Sequence, residues 1–114
     1  MTDHCSHSIK RILSRQREFS LRAFGPGRRT VGLCKHVVEE LIEVQESEHD
    51  VRECIDVLIL ALDLCWRSGA SLDDIELYLH RKQTQNESRK WPPVGSIGEC
   101  DKINHLRGDN HGGM

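Results

Sequence analysis

A chain of 114 residues, 37% hydrophobic and 30% charged, has room for one small domain with a marginal core. Its longest apolar run, Val57–Leu62, is too short to span a bilayer, which excludes a membrane-crossing helix there. Five cysteines, an odd number with no C-x-x-C spacing, read as free thiols buried in a reducing cytosol rather than as a disulfide framework, and no secretion signal is visible. The expectation is a soluble, cytoplasmic, self-associating protein.

The first eight residues read as a mobile start, and a first helix is expected from about Ser8 to Leu21. The segment FGPGRR, Phe24–Arg29, breaks it, because proline and two glycines favour a turn over a continuing helix. A second helix is expected from Thr30 to about Glu46, with Val37, Leu41 and Val44 on one apolar stripe and Val38 and Ile42 beside it. A third begins at Asp50, an N-cap with Glu53 at the capping-box position, and runs to Arg67. Apolar residues surround most of its circumference, so it should be buried on more than one side and supply the contact between subunits. Gly69 closes it and Ser71 caps a fourth helix, whose first turn carries Asp73 and Asp74 and which runs towards Arg89 until WPP stops it.

No repeat and no convincing strand is present. The folded domain is expected to be 1–93. Residues 94–114, with five of the nine glycines, read as a flexible tail or one lying over a neighbouring subunit.

Charge is segregated along this chain. Lys10–Lys35 holds eight basic residues (Lys10, Arg11, Arg15, Arg17, Arg22, Arg28, Arg29, Lys35) against Glu18 alone, whereas Val38–Leu64 holds nine acidic residues against Arg52 alone. An acidic centre flanked by basic arms suits a polyanion held through metal ions, with Lys and Arg on the phosphates. Solvated helix faces would explain either basic cluster taken alone.

The acidic centre has internal order. The second and third helices are separated by a few residues, so they form an antiparallel hairpin with its turn near Glu48. Mirrored about that turn, Glu43 stands level with Glu53 and Glu40 with Asp56, while the i, i+3 spacing keeps each pair on one helix face. Asp63 lies one step further along the same stripe. Four converging carboxylates repel one another unless neutralised, and an oxygen-only ligand set suits Mg²⁺ or Mn²⁺ completed by substrate phosphates. The alternative is that the carboxylates merely solubilise a hairpin face.

E-E-x-x-E followed by E-x-x-D on consecutive helices, here EELIE and ECID, resembles the all-α MazG-like nucleoside triphosphate pyrophosphohydrolases. QREFSLRAFGPGRR, KHVVEELIEV, CIDVLILALDLCWRSG and KQTQNESRKWP are similar to their dATP/dGTP diphosphohydrolase branch, covering Gln16 to Pro93. Within that branch the chain resembles small phage enzymes that supply dGMP to a modified-purine DNA pathway. The resemblance implies a four-helix bundle with its metal site on the hairpin, and the short helical chain points to a homo-oligomer (dimer or tetramer). It implies cleavage between the α- and β-phosphates to a monophosphate and pyrophosphate, with two or more Mg²⁺ or Mn²⁺ ions.

Carried over by motif, Glu40, Glu43, Glu53 and Asp56 are the metal ligands and catalytic carboxylates, with Glu39 a weaker candidate. The gap from Glu43 to Glu53 is shorter than the family's usual one, and the mirrored register compensates for it. KQ-x-x-N-x-x-R-x-WP implies phosphate contacts from Lys82 and Arg89, a sugar or base contact from Asn86 and a pocket wall from Trp91. An amphipathic helix end with an aromatic plug is the plainer reading of those residues. Arg28 and Arg29 are further phosphate candidates, within one subunit or across a boundary.

The first substrate expected is dGTP or GTP, with dATP or a broad range of (d)NTPs as the alternative. A non-catalytic helical nucleic-acid-binding module is the competing class. The acidic hairpin would repel DNA and the chain has only five Phe, Trp and Tyr residues, so stable nucleic-acid binding is not expected.

Overall fold

The structure, a computed structural model, describes residues 3–107, with side chains from Ile9 onward. Four helices follow one another: α1 (Asp3–Phe24), α2 (Thr30–Glu46), α3 (Val51–Arg67) and α4 (Leu72–Ser88). Among the described residues there is no strand beyond one isolated antiparallel bridge, Lys90 to Leu106. No described helix is long and apolar enough to cross a membrane. The chain divides into two compact units, Met1–Glu76 and Leu77–Met114.

In the first unit α2 and α1 both pack on α3. The hairpin of α2 and α3 turns at Glu48 and His49, two non-glycine residues in the left-handed region (φ 56° and 80°), a costly conformation that keeps the connection short. Ser47 steadies the turn, its hydroxyl donating to Val44 O (2.9 Å) and accepting from the Asp50 N–H (3.3 Å). Asp50 caps α3 by accepting from the Arg52 N–H at 2.9 Å. The expected capping box is not formed there: the Asp50 N–H is taken by Ser47, and Glu53 turns its carboxyl towards α2 instead. A reciprocal box does form at α4, where Ser71 N–H donates to Asp74 Oδ2 and Asp74 N–H to Ser71 Oγ, both at 3.0 Å. The Ser71 backbone N–H, and after it the Ser71 hydroxyl, draw the Asp74 carboxyl below its usual pKa.

Three further expectations are corrected. Helix α1 begins at Asp3 and ends at Phe24, longer at both ends, because no proline or glycine interrupts the chain before Gly25. The cysteines at 34, 54, 65 and 100 are exposed rather than buried. The face of α2 that meets α3 keeps Val37 and Val44 of the expected stripe but not Leu41: its only sheltered residues are Leu33, Val37, Glu40 and Val44, and Leu41 is 47% exposed. That spacing of four, three, four is the seam of two packed helices, and Glu40 occupies a seam position that an apolar residue would ordinarily fill.

Helix α3 follows the same rhythm with Glu53, Val57, Leu60 and Leu64. Its remaining apolar surface is open in the single chain, Ile55, Leu58 and Ile59 being 44, 51 and 41% exposed. Among the described residues only Leu33, Trp66 and Ile75 are buried apolar side chains. One chain has too few helices to enclose α3 on every side.

In the second unit the segment after α4 returns on itself. Leu106 N–H donates to Lys90 O at 2.6 Å, and the His105 ring meets Trp91 edge to face at 5.8 Å between centroids. Val94–Arg107 of the expected tail is thus in turns and extended segments, while 108–114 lies outside the described residues.

Candidate active site

Carboxylate oxygens of Glu40, Glu43 and Glu53 lie within 4.8 Å of one another across the α2–α3 hairpin. Burial differs among them. Glu40 and Glu53 sit in the seam, and one oxygen of each (Glu40 Oε1, Glu53 Oε1) is inaccessible and lacks a hydrogen-bond partner. Glu43 stands at the exposed rim. The second oxygen of Glu40, Oε2, is 3.4 Å from His36 Nε2 one turn earlier on α2, so the carboxylate is tethered outside and free inside. Desolvation raises the Glu53 pKa, and the adjoining Glu43 carboxyl, then the charges of Asp56 and Asp50, raise it further.

Buried, unpartnered carboxylate oxygens are among the most costly groups a protein can hold, and nothing among the described residues answers these two. Hard divalent cations with oxygen-only coordination would answer them, and the donor set fits Mg²⁺ or Mn²⁺. Asp56, expected level with Glu40, is exposed and stands outside the group of three, close enough for its charge to act on Glu53. Glu39 is exposed.

The sequence model of the dATP/dGTP pyrophosphohydrolase family matches residues 12–110. The chain belongs to this family. Among solved structures, a cyanophage S-2L MazG-like pyrophosphohydrolase, bound to dGDP and three catalytic Mn²⁺ ions per active site, is similar to the chain, with 26% identity and a TM-score of 0.67. The match covers 88% of this chain and 94% of that one. Comparison with curated protein sequences gives no match. The dATP/dGTP pyrophosphohydrolase family places the chain among enzymes.

The remaining candidates lie on other elements of this pyrophosphohydrolase. Lys82 and Asn86 are exposed on α4. Arg89 falls just past its end rather than on its face, reaching back with Nη1 to Asn86 Oδ1 at 3.4 Å. Trp91 donates its indole N–H to Asn86 O at 2.7 Å, which fixes the ring at the helix end. Arg28 is exposed in the α1–α2 loop, and Arg29 lies over the Phe24 ring at 5.1 Å.

Asp63, one step along the sequence stripe, does not join the cluster. It pairs with Arg67 in a buried network that includes Gln16, Ser20 and Trp66. Sequence reasoning missed this network, and the one available signal was a lone Asp-x-x-x-Arg spacing on an otherwise apolar helix.

Proposed function

We propose that the enzyme converts purine nucleoside triphosphates, dGTP or GTP first, to the monophosphate and pyrophosphate, using Mg²⁺ or Mn²⁺ held by Glu40, Glu43, Glu53 and Asp56. The observation that carries this reading is the pair of orphaned carboxylate oxygens in the hairpin seam, Glu40 Oε1 and Glu53 Oε1. Support for the substrate comes from the family's description and from the similar phage enzyme bound to dGDP and three Mn²⁺ ions. On the sequence resemblance to phage enzymes that supply dGMP, the product would feed a modified-purine DNA pathway in a phage-infected cytoplasm.

Bound divalent cations would neutralise the triphosphate and acidify a water for in-line attack on the α-phosphorus. The chain's own work is to place the charges. Glu40 and Glu53 present fixed oxygens from two helices, which removes the reorganisation that flexible ligands would need. Glu43, at the rim and open to solvent, is the carboxylate assigned to accept the water's proton. Lys82 and Arg89 are assigned to phosphate, Asn86 to sugar or base, and Trp91 to the wall against the purine.

Arg28 and Arg29 are assigned to phosphate as well. The rise of α2 separates Thr30 from Glu40 by about 15 Å, so the loop is far from the carboxylates of its own chain. That distance favours contact with a nucleotide bound to a neighbouring subunit. The exposed apolar surface of α3, in a chain with so few buried apolar side chains, supports a homo-oligomer, dimer or tetramer.

The test is to incubate the purified protein with each ribo- and deoxynucleoside triphosphate in Mg²⁺, Mn²⁺ or EDTA and identify products by chromatography. Monophosphate plus pyrophosphate from dGTP, lost in EDTA, is expected. Preference for dATP would correct the base, and the absence of turnover with any metal would overturn the reading.

A further inference from the structure

Arg67 closes α3 with its side chain only 2% exposed, and every one of its five N–H donors has an acceptor. Nε donates to Asp63 Oδ1, Nη1 to Gly25 O and Gly27 O at 2.9 Å each, and Nη2 to Ser20 Oγ at 2.9 Å and Ser20 O at 3.3 Å. Asp63 is satisfied on its other side by Gln16 Nε2 at 2.6 Å, and Gln16 Oε1 accepts from Trp66 Nε1 at 2.8 Å. The guanidinium therefore ties α3 to Ser20 near the end of α1 through Nη2 and to the backbone of the α1–α2 loop through Nη1.

The grip has geometric content. Gly25 and Gly27 both lie in the left-handed region (φ 82° and 95°), and only in such a doubly bent loop do their carbonyls converge on one nitrogen. Arg28 follows Gly27 directly. Arg29 is occupied by the Phe24 ring, whereas Arg28 makes no ion pair among the described residues. The loop thus leaves α1, is seized at two carbonyls, and delivers one uncommitted guanidinium to solvent.

We infer that Arg67 is a positioning residue for the reaction: by clamping Gly25 and Gly27 it fixes the loop that presents Arg28 to the substrate's phosphates. This rests on the reading of Arg28 as a phosphate contact. The guanidinium fork is needed because a lysine would keep the charge opposite Asp63 but has three donors, too few and wrongly directed for four further acceptors.

The experiment measures kcat, KM for dGTP, Mn²⁺ affinity and melting temperature for Arg28→Ala, Arg67→Lys and the double variant. Expected are KM values raised about tenfold in each single variant, kcat and Mn²⁺ affinity changed less than twofold, and a double variant no worse than Arg28→Ala alone. A raised KM in Arg28→Ala beside an unchanged KM in folded Arg67→Lys would overturn the positioning role and leave Arg28 standing. An unchanged KM in Arg28→Ala would remove Arg28 from the substrate, and the inference with it. Parallel loss of KM, kcat and Mn²⁺ affinity in Arg67→Lys would show general loosening and overturn the inference. If Arg67→Lys does not fold, the pair Asp63→Asn with Arg67→Gln carries the test, since it removes the donors to Gly25 and Gly27 without leaving a charge buried alone: KM raised severalfold supports the inference, and an unchanged KM overturns it.

Discussion

Helix α3 carries two sheltered carboxylates, ten residues apart, and treats them in opposite ways. Asp63 is met on both oxygens, by Arg67 and by Gln16, so its burial is compensated inside the chain. Glu53 is met by other carboxylates, and one of its oxygens has no partner. Of two acidic side chains on one helix, the buried Asp63 is a structural tie and the half-buried Glu53 keeps an oxygen that the described residues do not satisfy. Burial of a charge therefore points to function only after its partners have been counted.

That contrast can be broken most directly by removing each carboxylate. Glu53→Gln is expected to lower kcat/KM by about a thousandfold or more while the protein stays folded, read by product chromatography alongside circular dichroism. Glu43→Ala should likewise abolish turnover without unfolding, and full activity in both variants would sink the metal site. Asp63→Ala should do the reverse, stranding the buried Arg67 guanidinium and costing roughly 3–5 kcal/mol in urea unfolding.

Metal should sharpen the comparison next. Saturating Mn²⁺ is expected to raise the melting temperature of the wild-type protein by about 10 °C, and that of Glu53→Gln far less. The pH dependence has a defined sign. The fold raises the Glu53 pKa above its ordinary 4.5, so the charged form is disfavoured in the folded state. Metal-free stability should therefore be undiminished below about pH 4.5 from this group, and fall as pH rises through the raised value. Glu53→Gln or added Mn²⁺ should flatten that fall in thermal scans across pH. The smallest effect concerns neither carboxylate: Ser71→Ala removes the α4 cap and should cost about 1 kcal/mol.

Much of the hairpin was legible because its punctuation is local. Asp50, Ser71 and the break at FGPGRR mark helix ends through side chains or backbone limits that act within a few residues. The convergence of Glu40, Glu43 and Glu53 followed from spacing and a short turn. What spacing obscured was depth. A search for apolar stripes selects Leu41, whereas the packed seam runs through Glu40, because a carboxylate replaces the apolar residue that such a search requires. The Arg67 clamp was illegible for another reason: it joins a side chain to main-chain carbonyls 40 and 42 positions away, and carbonyls leave no trace in residue identity.

The seam carboxylates also have a consequence on an evolutionary scale. Glu40 and Glu53 occupy places where leucine or valine would bind the hairpin more tightly, so the proposed metal site and metal-free stability pull against each other. A lineage released from selection for catalysis gains stability by losing these two residues first. Inactive descendants of such a hairpin should therefore carry apolar side chains at both seam positions, while keeping the Asp63–Arg67 tie, whose loss would be punished whether or not the protein still turns over a nucleotide.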